Sequence, residues 1–210
     1  MSEPVLAFAK LDLSMTALDF SGDLEEARSH EWISHVNTKC YQGGWDVLPL
    51  IIPQEHLNNH IILQAFSLNC ETPWVESQYL KRLPSIRALI DRFECNVLSV
   101  RLMRLHAYSS IKPHRDTGLS IEASSQARIH IPLEISPDVQ FKVDGVSVPM
   151  EANSVWYINA DAVHSVQNSG DTPRVNLVVD CNVNEWLFKL IMASKEKTYC
   201  CEKSVKEIAR

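Results

Sequence analysis

The chain has no Cys-X-X-Cys pair and no regular cysteine framework: Cys40, Cys70, Cys95, Cys181, Cys200 and Cys201 are scattered along it. Structural zinc sites close their shells with such pairs, so their absence points to reduced thiols. There is no uninterrupted apolar run long enough to cross a bilayer, and no basic segment precedes the short apolar stretch in MSEPVLAFAKLDLSM. The expectation is a cytoplasmic protein without a membrane partner. An even cysteine count fits three disulfides on arithmetic alone, but the missing leader favours free thiols. Positive charge is also in deficit. Lys and Arg number 20 against 26 Asp and Glu, a net charge of −6, so nucleic acid is not expected as an obligate partner. No internal repeat, low-complexity tract or Gly/Ser linker marks a boundary, and 210 residues that are 45% hydrophobic suffice for one substantial core. A single domain over 1–210 is expected.

What the chain does have is a change of hydrophobic period. Asp23 and Glu26 stand at capping-box spacing before Leu24, Ala27, Ile33 and Val36, which predicts an amphipathic helix over 23–37. Pro84 opens a second predicted helix whose Ile86, Leu89, Ile90 and Phe93 fall on one face. Both read as core-facing supports. From about residue 97 the texture is that of short β-branched strands: 97–108, 127–135, 139–143, 146–150, 154–158, 163–167 and 174–181. Asp144-Gly145 between two of them is a hairpin signal, because both residues tolerate positive φ. Such strands make a sandwich, jelly roll or small barrel, with a core over about 97–182. Helical support is expected over 1–96 and 186–210.

The most informative local feature is Pro113-His114-Arg115-Asp116. A His and a carboxylate one residue apart project to the same side of an extended segment and can bind one metal together. His-X-Asp also occurs in ordinary surface loops. His164, 48 residues beyond Asp116 in another strand-like segment, is what gives the pair company. Two imidazoles and one carboxylate on a face of an octahedral ion leave three positions open, the arrangement used by non-haem iron(II) oxygenases. Those positions suit a 2-oxo acid and O2. Arg174 opens the RVNLVVDC strand, and its rigid fork of donors matches the far carboxylate of 2-oxoglutarate; a solvent-exposed arginine on a strand edge is the plain alternative. Arg128 and His130 share a strand face and favour an acidic ligand, either substrate or co-substrate, over a buried structural histidine and a surface charge. Arg101 and Arg104 stand an odd number apart, so only one of them looks inward.

These residues resemble a known family. RLMRLHAYSSIKPHRDTGLS, ARIHIPLEI and VWYINADAVHSVQNSGDTPRVNLVVDCNVNEWL are similar, in order, to segments of the aspartyl/asparaginyl β-hydroxylases, in the branch that contains bacterial proline cis-hydroxylases. The resemblance covers about residues 98–187, with GGWDVLPLI a weaker match upstream. It implies a double-stranded β-helix, mainly β with flanking helices and cupin-like, that uses iron(II), 2-oxoglutarate and O2. It carries His114 and His164 over as metal ligands and Arg174 as the co-substrate anchor, and places Arg128 and His130 near the bound carboxylates. Peptide-directed members typically have glycine where Asp116 stands, so the complete triad His114, Asp116 and His164 points towards the amino-acid hydroxylases. Tyr108-Ser109-Ser110 stands where much of the family has Pro-Gly, and Asn176 where a histidine is frequent.

The function expected is hydroxylation of an unactivated carbon of a free amino acid or similar small carboxylate, with release of succinate and CO2. Three rivals stand beside it: a peptidyl hydroxylase of the same chemistry, a cupin-like metal or small-acid binder without oxygen chemistry, and a silent interaction module. The 117–127 loop, rich in small polar residues, borders a possible entrance without separating them.

Overall fold

In the computed structural model, residues 4–66, 72–122 and 126–200 are described. They form fourteen strands and four α-helices. The strands are β1 (Val5–Leu11), β2 (Ile33–Ser34), β3 (Tyr41–Gln42), β4 (Trp45–Pro53), β5 (Trp74–Glu76), β6 (Val97–Leu105), β7 (Ser110–His114), β8 (Gln126–Glu134), β9 (Val139–Val143), β10 (Val146–Val148), β11 (Val155–Ile158), β12 (His164–Asn168), β13 (Arg174–Asn182) and β14 (Lys197–Cys200). The helices are α1 (Ser21–Ser29), α2 (Ile61–Phe66), α3 (Pro84–Ile90) and α4 (Glu185–Ala193). The larger sheet runs β14-β1-β11-β8-β13-β6-β4-β2, with β5 added to β4; the smaller runs β10-β9-β12-β7-β3. This is the expected jelly roll with flanking helices.

Strand alternation gives the larger sheet two different faces. On β13, Val175, Leu177, Val179 and Cys181 join an apolar cluster with helix residues Leu24, Ile86, Leu89, Leu187 and Ile191. The other face meets the smaller sheet, where Val47, Met103, Trp156 and Val178 pack with Phe141, Val143 and Val166. Arg174, Asn176 and Asp180 share that second face and are buried. β13 is therefore covered on both sides, which is why it reads as a nearly continuous apolar run. Fully buried Leu187 and Ile191 fasten α4 to the sheet at about 1.5–3 kcal/mol each. Asn184 caps that helix by accepting the Leu187 N–H at 2.9 Å.

Several expectations are corrected. The predicted helix over 23–37 stops at Ser29, and Ile33 pairs with Val47 in the sheet. Tertiary pairing overrides the local helical spacing, and Val36 is left exposed. Asp23 caps no capping box. It is buried inside α1 and accepts the Ile86 N–H at 2.7 Å, so it caps α3 instead. Residues 1–96 are not purely helical support, since β1 and β4 are strands of the larger sheet. The carboxy-terminal region is likewise mixed: α4 is followed by β14, which pairs with β1, and residues 201–210 lie outside the described residues.

The helix at Pro84 and all seven strands expected after residue 97 are present, with small shifts at their ends. Asp144 (φ 49) and Gly145 (φ 79) make the two-residue turn between β9 and β10. Cys40, Cys95 and Cys181 are free thiols, Cys200 is buried at the end of β14, and Cys70 and Cys201 lie outside the described residues. No helix of the described residues is long and apolar enough to cross a membrane.

Candidate metal and co-substrate site

β7 and β12 pair antiparallel with His164 directly opposite His114, so their rings lie 4.2 Å apart between centroids. Asp116 follows β7, its backbone N–H held by the Ala160 carbonyl at 2.8 Å. Ligand atoms of His114, Asp116 and His164 all lie within 4.8 Å of one another. Nδ1 of His114 lies 2.8 Å from the Lys112 carbonyl and Nδ1 of His164 lies 3.1 Å from that of Ala162. A carbonyl oxygen only accepts, so each Nδ1 carries the proton and each Nε2 keeps its lone pair. His114 Nε2 stands 3.9 Å from Asp116 Oδ1. This donor set fits a divalent metal of the iron(II) class.

Burial pushes His164 down to about 4, with His114 adding to the effect. Its imidazole is neutral at ordinary pH. Burial works to raise Asp116, but the Arg128 guanidinium beside it outweighs this and holds the carboxyl below its usual range. Arg128 Nη1 donates to Asp116 Oδ2, which leaves Oδ1 as the atom facing His114. Arg115, between the two amino-terminal ligands, donates from Nη2 to Asp161 Oδ1 at 3.1 Å. The end of β7 is thereby tied to the turn that leads into His164.

A cavity of about 320 Å³ between the sheets holds the triad together with Arg101, Arg128, His130, Arg174 and Asn176. Asp180 takes a fork of two bonds from Arg128, Nε at 2.7 Å and Nη2 at 2.9 Å, and a third from Arg101 Nη2 at 2.7 Å. Arg101 is thus the inward residue of its pair. Arg104 instead packs over Trp32 and pairs with Asp46. Among the described residues no carboxylate pairs with Arg174, whose buried Nε has no partner; burial lowers this guanidinium to about 10. Arg174 Nη2 donates to Asn176 Oδ1 at 2.9 Å and the guanidinium lies over Phe141. Because arginine offers only donors, Asn176 must turn its Nδ2 towards His130 Nδ1, 3.1 Å away. The His130 proton is therefore on Nε2, a buried donor with no acceptor among the described residues. Burial, reinforced by Arg174, keeps His130 neutral.

The sequence profile described as Aspartyl/Asparaginyl beta-hydroxylase matches residues 21–183. The chain belongs to that family. This family member is also 38% identical over 69 residues to L-proline cis-3-hydroxylase 1 of Streptomyces sp, a stretch covering 32% of this chain. The match spans about a quarter of that relative, 24% of its length. Among solved structures, the fold is similar to the non-heme alpha ketoglutarate dependent epimerase SnoN from nogalamycin biosynthesis, with a TM-score of 0.53 and 16% identity over 91% of this chain and 85% of that one. It is also similar to an oxidoreductase of the 2OG-Fe(II) oxygenase family from Burkholderia pseudomallei, with a TM-score of 0.50 and 13% identity over 76% of each chain. At these identities the two structures establish the double-stranded β-helix alone.

The structure brings every site residue expected from the sequence of this family member into one cavity: His114, Asp116, His164, Arg174, Arg128 and His130. Sequence reasoning missed Asp180, although even spacing from Arg174 put it on the same strand face. It also missed His35, Trp45 and Phe66, which line the cavity from amino-terminal segments; the helical spacing over 23–37 hid His35.

Burial lowers His35 from 6.5 to about 4, with Arg101 the largest charge acting in the same direction. The unfolded chain therefore binds the proton first as pH falls. Stability is expected to decline from about pH 6.5 to about 4, as thermal unfolding followed against pH would record. His35→Phe, which keeps a ring but cannot titrate, should show a shallower decline; an unchanged slope would reject His35 as a contributor.

Proposed function

We propose that this chain is an iron(II), 2-oxoglutarate-dependent hydroxylase acting on a free amino acid or a similar small carboxylate. One observation carries the reading: an unneutralised buried guanidinium, Arg174, shares a cavity with a two-histidine, one-aspartate triad whose Nε2 lone pairs are free. A cation buried without a counter-charge is costly, and a dicarboxylate that also chelates the metal would relieve that cost. His114, Asp116 and His164 would hold the metal. Iron(II), 2-oxoglutarate and O2 together supply the oxidising power, yielding succinate, CO2 and a hydroxylated carbon.

The remaining work belongs to the protein. Arg174 receives the far carboxylate of 2-oxoglutarate with two donors in a fixed plane. His130 serves the bound acids through its free Nε2–H. Arg128 serves them through its charge, because its fork is already engaged by Asp180 and Asp116. The proline cis-3-hydroxylase similarity favours a free amino acid; the family's own description favours an aspartyl or asparaginyl side chain as the second reading. Oxygen chemistry is common to both. A cupin-like binder that held only a metal would leave the Arg174 charge without a task.

The test is anaerobic addition of iron(II) and 2-oxoglutarate, followed by the visible metal-to-ligand charge-transfer absorption of the chelated 2-oxo acid. Native protein is expected to develop the band. Arg174→Ala should need roughly 10- to 100-fold more 2-oxoglutarate, the loss of a charge-assisted hydrogen-bond pair. Iron binding without any band in the native protein would reject the proposal.

A further inference from the structure

Beside the triad the cavity wall is aromatic. His35 stacks face to face on Trp45, with centroids 3.7 Å apart and planes within 7°. Phe66 meets His35 edge-on at 5.0 Å, and Tyr41 braces both stacked rings from the side. The stack is tied down. Tyr41 Oη donates to the His35 carbonyl at 3.2 Å, His35 N–H donates to the Trp45 carbonyl at 2.7 Å, and His35 Nδ1 accepts the Asn37 N–H at 3.3 Å. Gly43 (φ 81) and Gly44 allow it to sit where it does, because a Cβ at either would lie within 3 Å of the Ser109 or His106 side chain. Met103 and Val178 continue the apolar surface.

Charge divides the cavity the other way. Its guanidinium groups come from β6, β8 and β13, and among the described lining residues Asp116 is the one carboxylate, already shared between the triad and Arg128. A ligand group laid on the His35 wall gains from burial of C–H surface. A second carboxylate placed there would lose its water, and Arg101 and Arg128, the guanidinium charges that act on His35, are already engaged by Asp180.

Resting on the oxygenase reading above, we infer that His35, Trp45 and Phe66 are the specificity-determining wall. The substrate is a monocarboxylate whose branched or cyclic apolar side chain lies against them, and an acidic side chain is rejected.

The experiment uses the full chain with iron(II) and 2-oxoglutarate. L-Proline, L-leucine, L-aspartate and an aspartate-containing peptide are each titrated against the charge-transfer band, and then assayed for succinate release in air. The apolar acids are expected to perturb the band and accelerate succinate release, and aspartate and the peptide to do neither. Phe66→Ala should raise the half-saturating apolar acid at least tenfold while the 2-oxoglutarate band still forms, and Phe66→Leu should recover most of that loss. His35→Ala, at a less buried position than Trp45, gives a second reading if Phe66→Ala fails to fold. Preference for aspartate or the peptide, no response to either apolar acid with the band in place, or unchanged half-saturation in both variants overturns the wall's role. Absence of the band in native protein is a different result: it removes the oxygenase reading, and the inference falls with it.

Discussion

Asp116→Ala and His164→Ala are each expected to abolish iron binding and succinate release while leaving the far-ultraviolet circular dichroism of a folded β protein. His114→Ala should behave the same way. The three donors belong to two adjacent strands and the turn beyond one of them, and their backbone bonds do not depend on the side chains that would change. A facial triad has no spare protein ligand, so removal of one member leaves two donors to compete with water for the ion. Metal content measured after anaerobic loading separates this outcome from unfolding. Full activity in all three variants would show that the metal assignment is wrong.

Asp180→Ala carries the largest expected cost in stability, about 3–5 kcal/mol, because it strands the buried Arg101 charge and leaves Arg128 with Asp116 alone. Asp180 accepts from Arg101 and Arg128, and all three side chains are buried. Burial works to raise the Asp180 carboxyl, but Arg128 and Arg101 override this and hold it below the normal range, so the pair charges persist at neutral pH. Urea unfolding at pH 7 would measure the loss. Asp180→Asn, which keeps the shape and one acceptor, should cost less. A loss below about 1 kcal/mol for the alanine variant would mean that water reaches the two guanidinium groups. A surviving Asp180→Ala protein should also bind metal less tightly, because Arg128, freed from Asp180, is no longer held in place against Asp116 Oδ2.

The second half of the fold was legible because its signals are local. Strand alternation in 127–135 and 174–181 and the Asp144-Gly145 turn each report on neighbours a few residues away, and each element formed. The first half was less legible. The spacing of Leu24, Ala27, Ile33 and Val36 satisfies a helix, but the His30–Val36 segment gains more by pairing Ile33 with Val47 and stacking His35 on Trp45. Asp23 has the right residue type for a cap, yet the N–H it satisfies belongs to a helix some sixty residues away, since its bond to Ile86 spans 63 positions. No window of sequence contains both partners.

For the site, the residue types and their faces were settled in the linear chain. Arg128 and His130 share a side and Arg174 opens its strand, because side-chain direction in a strand follows from the two-residue repeat; Asp116 lies beyond the end of β7 and is held there by its backbone bond to Ala160. Tertiary structure decided what those directions point at. The pairing of β7 with β12 set His164 against His114, and a shared carboxylate on β13 neutralised Arg101 and Arg128 but not Arg174. Which charge stays free for a ligand depends on distances between strands far apart in sequence, and only folding brings those strands within hydrogen-bond reach.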